Sequence, residues 1–249
     1  MTQSTLHKRT TSPKVIRYLN YFYDEIRGYA EPHGVKIPFD RQLLTYTMRK
    51  VLSRWDYETD ELNLALPYIS SAKNVLDLGG GIGFISARLQ QMNNDLHVTS
   101  FEANPAVATH YLKVMETNKL NRFELMKGVL GDRTKSSSVK FNVPKEFWGG
   151  SLTRESDNQK TVDVEVFDQL KFLEDHQFDL LMMDIEGGEY EVVDLMDKAY
   201  FKAIIAEIHD DILGGEKTER LLKKLEALGY TLLNPSPEGL HSVCVFEKR

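Results

Sequence analysis

The length, composition and charge of the chain are those of an ordinary folded protein. Its 249 residues are enough to bury a large core, and 41% hydrophobic against 27% charged residues argue against a disordered or fibrous chain. The formal net charge of −6 provides no general attraction to nucleic acid, so we do not expect a nucleic-acid partner.

The location of the protein is predicted from what the sequence lacks. No apolar run approaches the length of a membrane span and the first 14 residues are polar, so we expect a cytoplasmic protein with no membrane partner. The single cysteine, Cys244, rules out an intrachain disulfide, and we expect it to pack in the core. The oligomeric state stays open.

Two apolar stripes predict helices within residues 1–70. The first is formed by Val15, Leu19, Phe22 and Ile26, and the second by Leu44, Met48, Val51, Leu52 and Trp55. A third helix is expected from Thr59, whose hydroxyl can cap it, towards Pro67. We treat residues 1–70 as a helical extension that forms either a lid over a ligand site or plain support, and residues 71–249 as the main domain.

A glycine-rich loop follows the first predicted strand. Asn74 to Leu78 is a short apolar strand, and a helix is expected from about Gly83. Between them, Gly79 and Gly81 permit positive φ and let a ligand approach the main-chain N–H groups. The loop is typical of nucleotide-cofactor sites, although a tight structural turn would also explain it.

The spacing of the glycines distinguishes two classes of cofactor. A dinucleotide loop needs Gly-x-Gly-x-x-Gly, but Phe84 or Ser86 occupies the third glycine position. Asp77 followed at alternate positions by Gly79, Gly81 and Gly83 instead resembles motif I of S-adenosylmethionine (SAM) methyltransferases, so we assign these residues to the cofactor site. SAM carries a sulfonium and an ammonium group, so we expect the carboxylate of Asp77 to attract it.

The next predicted strand, His97 to Phe101, is followed by an acidic residue. A carboxylate at this place can accept hydrogen bonds from both hydroxyls of an adenosine ribose, in SAM and NAD folds alike. We assign to the cofactor site the residues that follow this strand and the one after it: Glu102, Ala103, Asn104, Gly128 and Val129.

Later segments complete an α/β fold. Strands alternate with helices at Phe123 to Lys127, Phe178 to Asp184 and Ala203 to Ile208, which argues for a parallel sheet covered on both faces. Thr231 to Leu233 and Val243 to Phe246 are joined through Pro235, Pro237 and Gly239 without a helix. We therefore predict a Rossmann-like, mostly parallel seven-stranded sheet that ends in an antiparallel hairpin, which favours SAM over NAD.

Residues 131–177 are too many for a single crossover helix, and we treat them as an insertion. The alternating run from Thr161 to Phe167 predicts an extra strand within it. The segment from Glu146 to Leu152 contains an aromatic pair, two glycines and a serine. It is either a mobile substrate loop or a packed loop anchored by Trp148.

Acidic groups follow two neighbouring strands. Asp184-Ile185-Glu186-Gly187-Gly188-Glu189 comes after one of them, and His209-Asp210-Asp211 after the next. Because α/β proteins bind ligands at the carboxyl ends of parallel strands, we expect these groups to lie beside the cofactor.

Together these motifs resemble the FkbM family of SAM-dependent methyltransferases. The resemblance spans about Glu58 to Phe246 and is carried by the glycine loop, Phe101-Glu102-Ala103-Asn104-Pro105, the block from Asp184 to Glu189, and Ile205-Ala206-Glu207-Ile208-His209. It implies SAM as the cofactor and O-methylation, often of hydroxyls on sugars and other natural products. The chain departs from the family at Gly80-Gly81, where Ala-Asn is frequent.

The reaction we expect is attack by a hydroxyl oxygen of a small-molecule acceptor, in line with the methyl–sulfur bond. His209 has the intrinsic pKa of a base at neutral pH. Asp184 is expected to hold the methionine part of SAM, and Glu186 to orient the acceptor or shape its loop. In the structural alternative, His209 and the acidic residues only cap strand and helix ends.

Other functions stay open from sequence. A divalent metal such as Mg²⁺ on Asp184, Glu186, Asp210 and Asp211 would also acidify a hydroxyl, although we rank the metal-free scheme higher. An NAD-dependent oxidoreductase would need a glycine spacing that the chain lacks. A nitrogen or carboxylate acceptor, on a small molecule or a protein side chain, and a non-catalytic SAM-binding protein would all keep the same loop.

Overall fold

The computed structural model describes residues 5–9, 12–143, 160–233 and 243–249. Its helices are α1 Lys14–Arg27, α2 Tyr46–Ser53, α3 Thr59–Ile69, α4 Phe84–Met92, α5 Pro105–Thr117, α6 Gln169–Asp175, α7 Glu189–Leu195 and α8 Asp210–Ala227. Its strands are β1 Tyr29–Ala30, β2 Ile37–Pro38, β3 Asn74–Leu78, β4 His97–Phe101, β5 Phe123–Met126, β6 Gly128–Gly131, β7 Ser138–Val143, β8 Lys160–Asp168, β9 Leu180–Met183, β10 Ala203–Glu207, β11 Tyr230–Leu232 and β12 Val243–Lys248.

The main sheet has seven strands in the order β11-β12-β10-β9-β3-β4-β5. All neighbouring pairs from β10 to β5 are parallel, and β12 is antiparallel to both β10 and β11. The predicted mostly parallel sheet with a C-terminal antiparallel hairpin is therefore confirmed. The residues predicted to join the hairpin, Pro235, Pro237 and Gly239, lie outside the described residues.

Helices cover both faces of the sheet, which is why its strands are apolar almost throughout. Val75 packs with helices α2 to α5 on one face, and the next residue, Leu76, packs with α6 to α8 on the other. Cys244 is fully buried on the second face, as predicted. In the part of the chain that the structure describes, no helix is long and apolar enough to cross a membrane.

The insertion carries a small sheet of its own, in the order β6-β8-β7. β8 pairs parallel with β6 and antiparallel with β7, and it contains the strand predicted at Thr161 to Phe167. This sheet begins at Gly128, three residues before the predicted start of the insertion. The possible substrate loop from Glu146 to Leu152, including Trp148, lies outside the described residues.

The N-terminal helices form where predicted, with one local error. α3 begins at Thr59, but its N-cap is Glu58, which has a φ of 48°, and no side chain caps the helix. The hydroxyl of Thr59 instead donates to the carbonyl of Trp55 at 2.8 Å. The predicted capping role of Thr59 is therefore wrong, because the chain enters the helix one residue earlier through a left-handed turn.

Candidate active site

A cavity of about 300 Å³ lies at the carboxyl ends of β3, β4 and β9. β3 leads to β4 on one side of the sheet, whereas β9 leads to β10 on the other, so the strand order reverses between β3 and β9. Such a reversal leaves a crevice above the strand ends, which is where open α/β sheets bind ligands. The size is within the range of small-molecule pockets.

The glycine loop brings two strand ends into direct contact. Gly79 has a φ of 85°, and a Cβ at this position would lie 1.8 Å from the carbonyl oxygen of Asp184. Only glycine therefore fits between the ends of β3 and β9. The N–H groups of Gly79 and Gly80 both donate to the carbonyl of Phe101, which fixes the loop to the end of β4. These two N–H groups thus have acceptors inside the protein.

Glu102 connects the glycine loop to the end of β4. Its carboxylate accepts a hydrogen bond from the N–H of Gly81 at 2.9 Å and another from the N–H of Asn104 at 2.6 Å. Burial raises the pKa of Glu102 to about 7, although these backbone hydrogen bonds oppose the shift. Each carboxylate oxygen can accept a second hydrogen bond, so the group retains capacity for ligand hydroxyls.

Asp77, the acidic residue of the first motif, is held inside the domain. It is 3% exposed, and its Oδ2 accepts hydrogen bonds from the hydroxyls of Ser86 and Ser100, each at 2.9 Å. Burial raises its pKa to about 6, against the effect of the two serines. Asp77 joins β3, β4 and α4, and it does not line the cavity. Its predicted attraction for SAM stays a prediction.

The cavity wall contains most of the residues predicted to form the site. Those that line it are Gly79, Gly81, Glu102, Ala103, Gly128, Val129, Asp184 and Glu186. Besides Asp77, the predicted residues that do not line it are Gly83, Asn104 and His209. Gly83 caps α4 against the ring of Tyr111, and the side chain of Asn104 accepts a hydrogen bond from the N–H of Ala106 at the start of α5. The roles of all these residues remain predictions.

His209 lies next to the cavity, among four carboxylates. Its Nδ1 is 2.8 Å from Glu189 Oε1, and the Glu189 side chain is fully buried. On the other side of the ring, Nε2 lies 3.6 Å from Glu186 Oε2, 3.8 Å from Asp184 Oδ1 and 4.0 Å from Glu207 Oε1. The hydrogen bond to Glu189 fixes the orientation of the imidazole, so that Nε2 faces the acidic groups.

The carboxylates around His209 lack enough positive charge to balance them. Burial holds the pKa of Asp184 well above its usual range, and the charge of Glu207 raises it further. Burial alone would lower the pKa of His209, but the hydrogen bond to Glu189 and the nearby charge of Asp184 raise it to about 9. Among the described residues, no group forms a hydrogen bond with Asp184 Oδ1. The arrangement favours a cationic ligand.

The loop between α2 and α3 supplies two residues of the wall that the sequence analysis missed. Tyr57 and Glu58 line the cavity, and Glu58 is in the left-handed region, as is Glu186 with a φ of 51°. Strained non-glycine residues of this kind concentrate at ligand sites. Burial holds the pKa of Glu58 well above its usual range, although a hydrogen bond with Tyr57 opposes this. The only sequence signal for Tyr57 and Glu58 is their position in a loop. The prediction that comes closest to this finding is that residues 1–70 form a lid over a ligand site.

One group of side chains in the described residues has the geometry of a metal site. One ligand atom from each of Asp184, Glu207 and His209 lies within 4.8 Å of the other two. Of the metal ligands considered from sequence, only Asp184 belongs to this group, since Glu186, Asp210 and Asp211 are not part of it. A hard divalent cation binds carboxylate oxygens. Exposed acidic groups are nevertheless common in proteins without a bound ion.

A match to a sequence model identifies the family of the chain. A sequence model described as the methyltransferase FkbM domain matches residues 77–232, which is more than half of the chain. The chain belongs to the FkbM methyltransferase family. As a methyltransferase of this family it uses SAM, and its match begins at Asp77 and includes the glycine loop, Glu102 and the block from Asp184 to Glu189. No curated protein matches the sequence.

Solved structures similar to this FkbM methyltransferase include other methyltransferases at low identity. The StiE O-MT, residues 961–1257, is 14% identical with a TM-score of 0.46, and the match covers 76% of this chain but only 57% of that structure. A putative caffeoyl-CoA O-methyltransferase from Staphylococcus aureus is 14% identical with a TM-score of 0.44, covering 94% and 92%. A ribosomal protein L11 methylase from Lactobacillus delbrueckii subsp. bulgaricus is 13% identical with a TM-score of 0.43, covering 77% and 80%.

The cavity of this FkbM methyltransferase fits SAM in its chemistry. Leu130 and Phe141 are apolar parts of the wall, as an adenine base requires, and Glu102 offers acceptors for ribose hydroxyls. At the other end, Asp184 carries a buried oxygen without a hydrogen-bond partner among the described residues, as a cationic group would need.

Proposed function

We propose that this methyltransferase methylates a hydroxyl oxygen of a small-molecule acceptor, with His209 as the base. The observation that carries the proposal is the pairing of His209 with Glu189, because a histidine oriented by a buried carboxylate is a common device for removing a proton. When bound, SAM supplies an electrophilic methyl group on a positively charged sulfur. An alkyl hydroxyl is a poor nucleophile until its proton is removed, so a base is needed.

The residues around His209 have separate roles in this scheme. Glu189 holds the Nδ1 proton, which leaves Nε2 to accept a proton from the acceptor. Glu186 and Asp184 lie on the Nε2 side and can orient the acceptor and hold a cationic group, respectively. With a pKa of about 9, His209 is protonated at neutral pH in the ligand-free protein. Positive charge bound beside it lowers this pKa, and we expect the rate of methyl transfer to rise with pH.

The test is methyl transfer from methyl-labelled SAM to panels of small hydroxyl, amine and carboxylate compounds. We expect transfer to a hydroxyl. His209→Gln should lower the rate by about 10²-fold or more, which is the usual contribution of a general base. Calorimetric titration of SAM into both proteins keeps binding separate from catalysis. His176→Gln is the matched control, because His176 is exposed at the end of α6. An unchanged hydroxyl methylation rate in His209→Gln would contradict the proposal.

A second candidate is methylation of an amine, and the surplus of carboxylates beside the cavity favours it. A neutral amine needs less help from a base, so activity on amines that is unaffected by His209→Gln would support this candidate. SAM binding without transfer to any acceptor would instead indicate a non-catalytic SAM-binding protein.

The metal question has its own measurement. We expect dialysis against a chelator to leave the methyl-transfer rate unchanged, because the proposed base is an imidazole. Loss of activity that Mg²⁺ restores in the wild type, but not in Glu207→Gln, would place a metal on Asp184, Glu207 and His209 and replace the metal-free scheme.

A further inference from the structure

Helix α1 is attached to the rest of the protein by its polar face. Asp24 is 1% exposed, so it faces the rest of the protein, and it accepts a hydrogen bond from Arg27 of the same helix at 2.6 Å. The carboxylate of Glu25 accepts from Arg49 and, at 2.8 Å, from Arg41. The ring of Tyr21 packs edge-on against that of Tyr46, with 5.3 Å between the centroids. A surface helix normally turns its charged face to water and its apolar face to the core, so α1 is inverted.

The apolar face of α1 is directed away from the protein. Among the described residues nothing buries it, and each of its seven large side chains stays at least 47% exposed: Val15 70%, Ile16 47%, Tyr18 66%, Leu19 58%, Phe22 56%, Tyr23 59% and Ile26 70%. We call these seven residues the α1 patch.

The area of the α1 patch is that of one side of a stable interface. The seven residues together expose about 640–850 Å², if a fully exposed residue of this size presents about 150–200 Å². Each partner of a standard protein–protein interface buries about 800 Å², whereas the largest apolar patch of a typical monomer is about 300–600 Å². The patch is thus large enough to be one half of a dimer contact.

The order of residues in the α1 patch is symmetric. Val15, Leu19, Phe22 and Ile26 are spaced 4, 3 and 4 residues apart, which is the a/d spacing of two helices packed side by side. The pattern also reads the same from either end about its midpoint, between Asn20 and Tyr21. Antiparallel packing on a second α1 places Val15 opposite Ile26 and Leu19 opposite Phe22. A two-fold interface requires this self-complementarity.

Basic residues lie at one edge of the α1 patch. In α1, Lys14 is exposed and Arg27 is bound to Asp24. Lys14 and Arg17 line a groove together with Lys50, Arg54 and the patch residue Tyr18. Such cations attract anionic lipids, whereas the net charge of −6 of the whole chain opposes its approach to an anionic membrane. The size of the patch and the spacing of its residues therefore decide for a second copy.

We propose that a second copy of this chain covers the α1 patch, so that two α1 helices pack antiparallel across a two-fold axis. The seam consists of Val15, Leu19, Phe22 and Ile26 from each copy. Tyr18 and Tyr23 flank it and keep their hydroxyls at the rim, in contact with water.

Sedimentation velocity of the purified full chain over a concentration series tests the dimer. We expect a wild-type species of twice the chain mass of 28.6 kDa. Phe22→Glu should raise the dimer dissociation constant about 100-fold or more, because symmetry buries the new charge twice. Leu170→Glu is the matched control, since Leu170 is an exposed apolar helix residue outside the patch. Circular dichroism and SAM titration check that each variant is folded.

Cysteine cross-linking tests the orientation. Cys244 is fully buried and should not react with a short bis-maleimide. In the antiparallel dimer, Val15 lies about 16 Å along the helix from Val15 of the other copy but opposite Ile26. Val15→Cys alone should therefore not cross-link, whereas a mixture of Val15→Cys and Ile26→Cys should. Cross-linking of Val15→Cys alone would indicate parallel helices and overturn the proposed geometry.

Two further outcomes would overturn the dimer. A wild type that stays monomeric at every concentration would mean that the α1 patch is covered by another part of the same chain or by a different partner. A wild-type monomer that co-sediments with vesicles of anionic phospholipid, while Phe22→Glu does not, would show that the patch binds a membrane.

Discussion

Replacing Gly79 by alanine probes the contact between the ends of β3 and β9. The new Cβ would lie 1.8 Å from the carbonyl oxygen of Asp184 and 2.9 Å from its carbonyl carbon. Ordinary contacts begin at about 3.4 Å, so the two strand ends must separate by well over 1 Å. Overpacking of this kind costs about 1–3 kcal/mol, and a side chain at positive φ adds about 1 kcal/mol. We expect Gly79→Ala to lower the free energy of unfolding by about 3 kcal/mol.

Gly28→Ala is the matched control for this prediction. Gly28 has a φ of 77°, close to the 85° of Gly79, but a Cβ there would meet nothing within 4 Å. Gly28→Ala should therefore cost only the backbone strain, about 1 kcal/mol. Urea unfolding of both variants measures the difference, provided that the m-value is unchanged. Equal destabilisation of the two variants would refute the reasoning, because the contact with Asp184 would then contribute nothing.

Three other predictions concern the buried polar groups of the site. Ser86→Ala should destabilise the protein by about 1–3 kcal/mol in urea unfolding, because it removes one of the two hydroxyls that solvate the buried carboxylate of Asp77. Glu102→Gln should weaken SAM binding about 10-fold or more by calorimetry, since one backbone N–H then faces an amide NH₂. The folded pKa of His209, about 9, is above its ordinary value of 6.5, so its stabilising contribution is complete below pH 6.5 and is lost as the pH rises through 9. The ligand-free wild type should therefore lose more stability than His209→Gln between pH 6.5 and 9.5 in thermal unfolding, and parallel curves would contradict this.

The strands of the main sheet could be predicted because burial on both faces leaves a strong signal. Asn74–Leu78 and His97–Phe101 form as predicted, with the same bounds. The glycine loop and Glu102 could be predicted equally well from the sequence, since each directly follows a strand. The direction of a side chain at a strand end is harder to predict. Asp77 directs its carboxylate to two serines from other elements, and nothing in its own segment indicates that choice.

The remaining errors and omissions depend on contacts between distant segments. An apolar stripe shows that α1 has two faces, but the ion pairs that attach its polar face involve Arg41 and Arg49, beyond the helix. The pKa of His209 likewise depends on Glu189, 20 residues away, and on carboxylates from two strand ends. Glu58 enters the cavity wall through a left-handed turn, which a sequence pattern favours for glycine or asparagine and not for glutamate.

Because α1 contacts its own chain through its polar face and exposes its apolar face, salt should affect its two attachments in opposite directions. Its own domain holds it through charge, and the proposed partner holds it through apolar contact. Salt screens the exposed Arg41 more than the sheltered pair of Glu25 and Arg49, and strongly hydrated salts such as sulfate strengthen apolar contacts. Concentrated sulfate should therefore weaken the first attachment and tighten the second. Under those conditions the neighbouring molecule would hold α1 more strongly than the chain that contains it.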